Sequence, residues 1–125
     1  MVFDKPLSDF DLVLGTNLLE IKVSSDGAFK FEWEENKALI NEQKHGIAFI
    51  DILPIFDDPL FWEQYDAEHS TENEHRFIGV GKLRGIAVIV SCYTERDNRI
   101  RIISARISTK EEERKYENWC KQYYS

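Results

Sequence analysis

The chain has 125 residues and a formal net charge of −7, and its 42% hydrophobic and 31% charged residues are those of an ordinary globular domain. At that length one core can bury roughly two-thirds of the unfolded surface, no apolar run is long enough to cross a bilayer, and Met1-Val2-Phe3-Asp4-Lys5 lacks the basic region and apolar core of a signal peptide. Cys92 and Cys120 have no short metal-type spacing, which points to reduced thiols and a cytoplasmic setting.

Residues 1–17 are poorly patterned and read as an extension. Leu19, Ile21 and Val23 then alternate with polar residues, as do Phe29, Phe31 and Trp33. This period of two predicts a hairpin, 18–24 and 28–33, across Ser25-Asp26-Gly27. A three-residue loop pairs Val23 with Phe29 and gathers every apolar side chain on one face. A two-residue Asp-Gly loop pairs Val23 with Lys30 and splits them, so the first register is expected.

Good helix formers from Glu34 to His45, ended by Gly46, predict a helix. Ala38 and Leu39 are expected inside. Lys37, Asn41, Lys44 and His45 share one polar face at helical spacing. Ile47 to Phe56 predicts a short second helix distorted by Pro54 and ended by Asp57-Asp58-Pro59. Residues 60–75, acidic and aromatic, read as a loop.

Phe77–Gly81, Ile86–Tyr93 and Arg99–Ile107 predict three strands with short connections, an antiparallel meander. Alternation along the last puts Arg99 and Arg101 on one face and Ile100, Ile102 and Arg106 on the other. Ser108-Thr109-Lys110-Glu111 is expected to box the start of a C-terminal helix carrying Tyr116, Trp119, Cys120 and Tyr123. The class is therefore α+β: an antiparallel sheet with N-terminal helices and a C-terminal helix.

Charge is segregated along this frame. Residues 1–75 carry 17 acidic and 5 basic side chains, whereas 76–110 carry 2 acidic and 8 basic ones. Arg96, Arg99, Arg101 and Arg106 fall within one turn and strand, and a basic face on an acidic protein suggests an anionic partner. His45, His69 and His75 make no zinc pattern, and the chain has no Walker A loop, dinucleotide fingerprint or nucleophile elbow.

Several blocks resemble the BrnT toxin family in order and spacing: Phe31-Glu32-Trp33-Glu34, Asn36-Lys37, Asn41, Lys44-His45-Gly46-Ile47-Ala48-Phe49, Phe56-Asp57-Asp58-Pro59, Arg76, Tyr93-Thr94-Glu95-Arg96, and Arg99-Ile100-Arg101-Ile102-Ile103-Ser104-Ala105-Arg106. The resemblance implies a RelE-like fold and a ribonuclease toxin of a type II toxin–antitoxin pair. It also implies RNA as substrate and a BrnA-type antitoxin with a ribbon-helix-helix region, through which alone DNA is met; it implies neither a cofactor nor a membrane partner.

Metal-independent cleavage of this type has the ribose 2′-oxygen attack the adjacent phosphate while the 5′-oxygen leaves. It needs a base, an acid and cations for the growing charge. Lys44 and His45 are the candidate acid–base groups. Arg76, Arg101 and Arg106 are the candidate phosphate clamps, because guanidinium grips phosphate oxygens in pairs. These five are expected to converge on one cleft, with no metal among them. Lys37, Arg96 and Arg99 are expected to contact RNA or antitoxin. Glu95 and Arg96, adjacent at a turn, are candidates to pair with each other.

Overall fold

The architecture turns on a short strand that the sequence reads as one arm of an antiparallel hairpin and that the structure also pairs, in parallel, with a strand near the C-terminus. In the computed structural model, which describes residues 19–23 and 30–124, β2 (Lys30–Glu34) lies between β1 (Leu19–Val23) and the late strand β6 (Arg99–Ile107). The proposed extension 1–17 and the hairpin loop fall outside the described residues. β3 (Trp62–Tyr65), β4 (Arg76–Leu83) and β5 (Ala87–Arg96) complete a six-stranded sheet in the order β1-β2-β6-β5-β4-β3. The class is α+β, as expected, and every neighbouring pair but one is antiparallel. The exception is β2 with β6, which run parallel through Phe31 opposite Ile100 and Glu32 opposite Arg101.

This interior position overturns the expected hairpin register. β1 does pair with β2, but Val23 faces Lys30 and Ile21 faces Glu32. The expectation assumed that β2 buries one face only. Both faces are buried: Phe31 and Trp33 on one side and Glu32 on the other.

α1 (Glu35–His45) ends as its sequence predicts, with Gly46 in the left-handed region at φ 69° donating its N–H to Glu42. Its packing differs. Leu39 is half exposed, while the polar residue Asn41 is fully buried. β2 pairs β6 only as far as Arg101, so among the described residues the far part of that β6 edge has no strand beside it. Asn41 stands there instead. Its side chain accepts from Ala105 N–H at 3.0 Å and donates to Ala105 C=O at 2.9 Å, completing a strand edge with one amide.

Pro54 acts as its missing N–H requires. α2 (Phe49–Ile52) gives way to a 3-10 turn, Leu53–Asp57, with the proline in its first turn. These segments lay Phe49, Ile52, Ile55 and Phe56 on one face of the sheet, against Phe31, Tyr93 and Ile102. Gly79 lets the Phe61 and Tyr93 rings close on β4, because a Cβ there would meet Phe61 at 2.3 Å and Tyr93 at 2.7 Å.

The stretch 60–75 is a correction, since it contains β3, an edge strand paired with β4 from Trp62↔Val80 to Tyr65↔Phe77. The pattern hid it: both Glu63 and Tyr65 are exposed, so no apolar alternation marks it.

α3 (Lys110–Tyr124) covers the other face through Tyr116, over Ile78, Val80, Val90 and Ile103. Asp58 fastens it, accepting from the Tyr116 hydroxyl and from Lys82 N–H. The capping box sits one residue later than expected. Thr109 Oγ1 accepts from Glu112 N–H at 3.1 Å, and Glu112 accepts from Thr109 N–H at 2.9 Å.

Candidate functional site: a row of arginines across the sheet

Cross-strand neighbours point the same way, so the pairing registers build a row. Arg76 on β4 is opposite Thr94 on β5, Thr94 is opposite Arg101 on β6, and Arg101 is opposite Glu32 on β2. A second row adjoins it: Arg96, Arg99 and Lys30. Both lie on the sheet face that α3 covers, beyond the part beneath Tyr116. Three consecutive strands thus set Arg76, Arg96, Arg99 and Arg101 on one surface, and β2 adds Glu32 and Lys30.

Carboxylates hold these arginines in pairs. Glu32, almost fully buried, lies 3.3 Å from Arg101 Nε and 3.6 Å from Arg99 Nη1. Glu74, on the loop before β4, takes Arg76 Nε at 2.8 Å and Arg96 Nη2 at 3.6 Å. Arg96 therefore pairs with Glu74 and not with Glu95. Neighbours along a strand face opposite ways, and Glu95 turns to the aromatic face. There burial, then the charge of Glu63 and a hydrogen bond with it, raises the Glu95 pKa. The Tyr93 hydroxyl also donates to Glu63.

Lys44, His45 and Arg106 form a second group. A β-bulge explains why Arg106 is not where alternation puts it. Cys92 faces Ser104 and Tyr93 faces Ile102, leaving Ile103 as an extra residue in β6. The bulge flips the rest of the strand, so Ala105 joins the aromatic core and Arg106 turns to α3. There Arg106 is gripped by Glu112 through two hydrogen bonds of 2.7 and 2.9 Å. Burial pushes the Glu112 carboxyl up, but the bonds from Arg106 and Thr109 outweigh it and its pKa is lowered.

His45 closes α1 where Gly46 turns the chain, partly buried beside exposed Lys44. Burial first, then the charges of Lys44 and Arg106, lowers its pKa below the ordinary 6.5. The imidazole is therefore neutral at pH 7, the form that accepts a proton.

The five expected catalytic residues thus divide. Arg76 and Arg101 stand in the row, while Lys44, His45 and Arg106 gather at the end of α1. Five residues of strand, about 15 Å at the usual rise, separate Arg101 from Arg106. Of the expected contact residues, Arg96 and Arg99 belong to the row and Lys37 lies apart on α1. Among the described residues no three His, Cys, Asp or Glu side chains gather as a metal would require.

Sequence reasoning missed Glu32, Glu74 and Thr94. Glu32 left a usable signal, an acid between two core aromatics. Glu74 and Thr94 left none without the registers.

A sequence model described as the ribonuclease toxin BrnT of type II toxin–antitoxin systems matches residues 33–112. The chain belongs to the BrnT family. Both arginine groups, α1, Asn41 and the start of α3 lie within the matched span. Among solved structures, the crystal structure of the Brucella abortus ribonuclease toxin BrnT is similar over 62% of this chain and 94% of its own, at 21% identity and a TM-score of 0.48. No curated protein matches the chain. This BrnT-family chain has, among its described residues, no helix long and apolar enough to cross a membrane.

Proposed function

We propose that this BrnT-family chain is a cytoplasmic, metal-independent endoribonuclease that arrests translation and is neutralised by a BrnA-type ribbon-helix-helix antitoxin. The cross-strand row of Arg76, Arg96, Arg99 and Arg101 carries this reading, because an acidic protein has little other reason to assemble four guanidiniums on one face. RNA phosphates lie along that row. His45, held neutral, takes the 2′-hydroxyl proton as the 2′-oxygen bonds to phosphorus. Lys44 returns a proton to the 5′-oxygen as the P–O5′ bond breaks, leaving a cyclic phosphate. Arg106, beside them, offsets the charge that grows on the phosphate oxygens, while Arg76 and Arg101 hold phosphates further along the strand.

One observation favours a second reading. Arg106 is already committed to Glu112 and stands apart from the row. A chain that keeps the fold and binds only its antitoxin, as co-repressor, would be built this way. Inducible expression with and without the antitoxin, with RNA integrity followed, separates the two. Cleaved RNA that persists in EDTA supports the nuclease, whereas intact RNA supports the binding protein. Cleavage that vanishes in EDTA and returns with Mg²⁺ overturns the metal-independent mechanism.

A further inference from the structure

The two carboxylates that hold the arginine row are not alike. Glu32 comes from the middle of an interior strand and is buried, so it cannot leave without opening the sheet. Glu74 comes from a loop and is about one-third exposed. Its backbone is held independently of its side chain, by hydrogen bonds exchanged with Thr71. The carboxylate can therefore swing away while the loop keeps its shape. It places two oxygens against Arg76 and Arg96, much as two oxygens of a phosphate would sit.

Opposite Arg76 on the next strand lies an unsatisfied group. Thr94 is 1% exposed, sits between Arg76 and Arg101 in the row, and its hydroxyl has no hydrogen-bond partner among the described residues. A buried hydroxyl without a partner is costly, and native proteins keep few of them without a use.

We propose that Arg76, Arg96 and the Thr94 hydroxyl form an oxyanion site for a phosphate of single-stranded RNA, and that Glu74 is its built-in competitor. Arriving phosphate displaces the carboxylate, bonds the two guanidiniums and accepts the Thr94 hydroxyl proton in a hydrogen bond. Glu74 thereby sets a threshold, and a lone anion without neighbours on Arg99 and Arg101 displaces it poorly. The inference rests on the ribonuclease reading for its ligand, but binding can be measured apart from cleavage.

The probe is a short 2′-O-methyl RNA strand, which lacks the attacking hydroxyl, followed by fluorescence anisotropy at fixed salt. Glu74→Gln should tighten binding roughly fivefold, since two partly exposed ion pairs no longer compete. Thr94→Val should weaken it about tenfold, and Thr94→Ser should restore it. Thermal stability guards against a merely structural effect: Thr94→Val removes an unsatisfied buried hydroxyl at equal volume, so its Tm should hold or rise. Unchanged or weaker binding by Glu74→Gln overturns the proposal, as does wild-type binding by Thr94→Val. So does a protein that binds acidic antitoxin peptide at this site but not the RNA probe. If the probe binds in the stated order yet unmodified RNA stays whole, the site stands and the nuclease reading falls. If RNA is cut but binding ignores both substitutions, the nuclease stands and this site falls.

Discussion

His45 shows how two residues of context decide a side chain's chemistry. A lone exposed histidine is half protonated near pH 6.5, but burial with Lys44 and Arg106 nearby shifts the balance to the neutral ring. If the neutral ring is the base, cleavage by this chain should rise with pH through a midpoint below 6.5 and be level from 7 to 8. His45→Ala should lower cleavage ~100-fold and relieve growth arrest, with thermal unfolding near wild type. A midpoint above 7 in the pH profile, or full activity in the variant, removes His45 from that role. Arg101→Ala is a less clean test than its place in the sequence suggests, because it leaves buried Glu32 with only the more distant Arg99. It is better compared with Arg101→Ala combined with Glu32→Gln.

Elements carry the larger stability effects, and Asn41 is the sharpest case. Asn41→Ala strips both partners from Ala105 at a buried edge, and should cost about 3 kcal/mol. Asn41→Asp keeps an acceptor for the Ala105 N–H but sets a carboxylate against its C=O, so it should also destabilise. Urea midpoints check both. Glu112→Ala removes a capping partner and strands buried Arg106, at roughly 3–5 kcal/mol. Its pH signature follows from the lowered Glu112 pKa. The carboxylate's stabilising contribution is complete above the ordinary value of 4.5 and is lost as pH falls through the depressed value. Glu112→Gln should therefore flatten the acid limb of stability relative to wild type.

These elements also show what the sequence can and cannot tell. α1, its glycine stop, the proline-broken second helix and the β4–β6 meander follow local rules, and they stand where period and capping chemistry put them. The failures are non-local. The parallel pairing of β2 with β6 joins residues 69 positions apart, and only that pairing shows that β2 has two buried faces. Once that is missed, the β1 register is missed too. β3 owes its existence to the edge of β4, not to its own pattern. The arginine row was legible as a cluster in sequence but not as a surface. One bulged residue at Ile103 removes Arg106 from the place simple alternation assigns it.

At the scale of the whole molecule, the charge segregation becomes spatial. The basic segment supplies three adjacent strands, and the acidic first half supplies Glu32 and Glu74, the two carboxylates that pair with the arginines on their face. Binding of antitoxin to the surface around Arg99 and Arg101 should therefore weaken as salt rises. Titrations from low to high salt check this; affinity that ignores salt would assign the contact to apolar surface such as Leu39 and Ile50, both half exposed.

The parallel pairing of β2 with β6 has one more consequence, for the chain's own birth. A strand made early waits for one made late, and no stretch ending before β6 can assemble the row or bury Glu32. Pairing so distant in sequence is also slow to form. A ribosome making this protein therefore carries a product without its arginine face until about the last quarter of the chain has emerged. A stop codon placed at Arg99 should give a product that leaves growth untouched even at high expression. If that fragment arrests cells, the arginine face is not the source of harm.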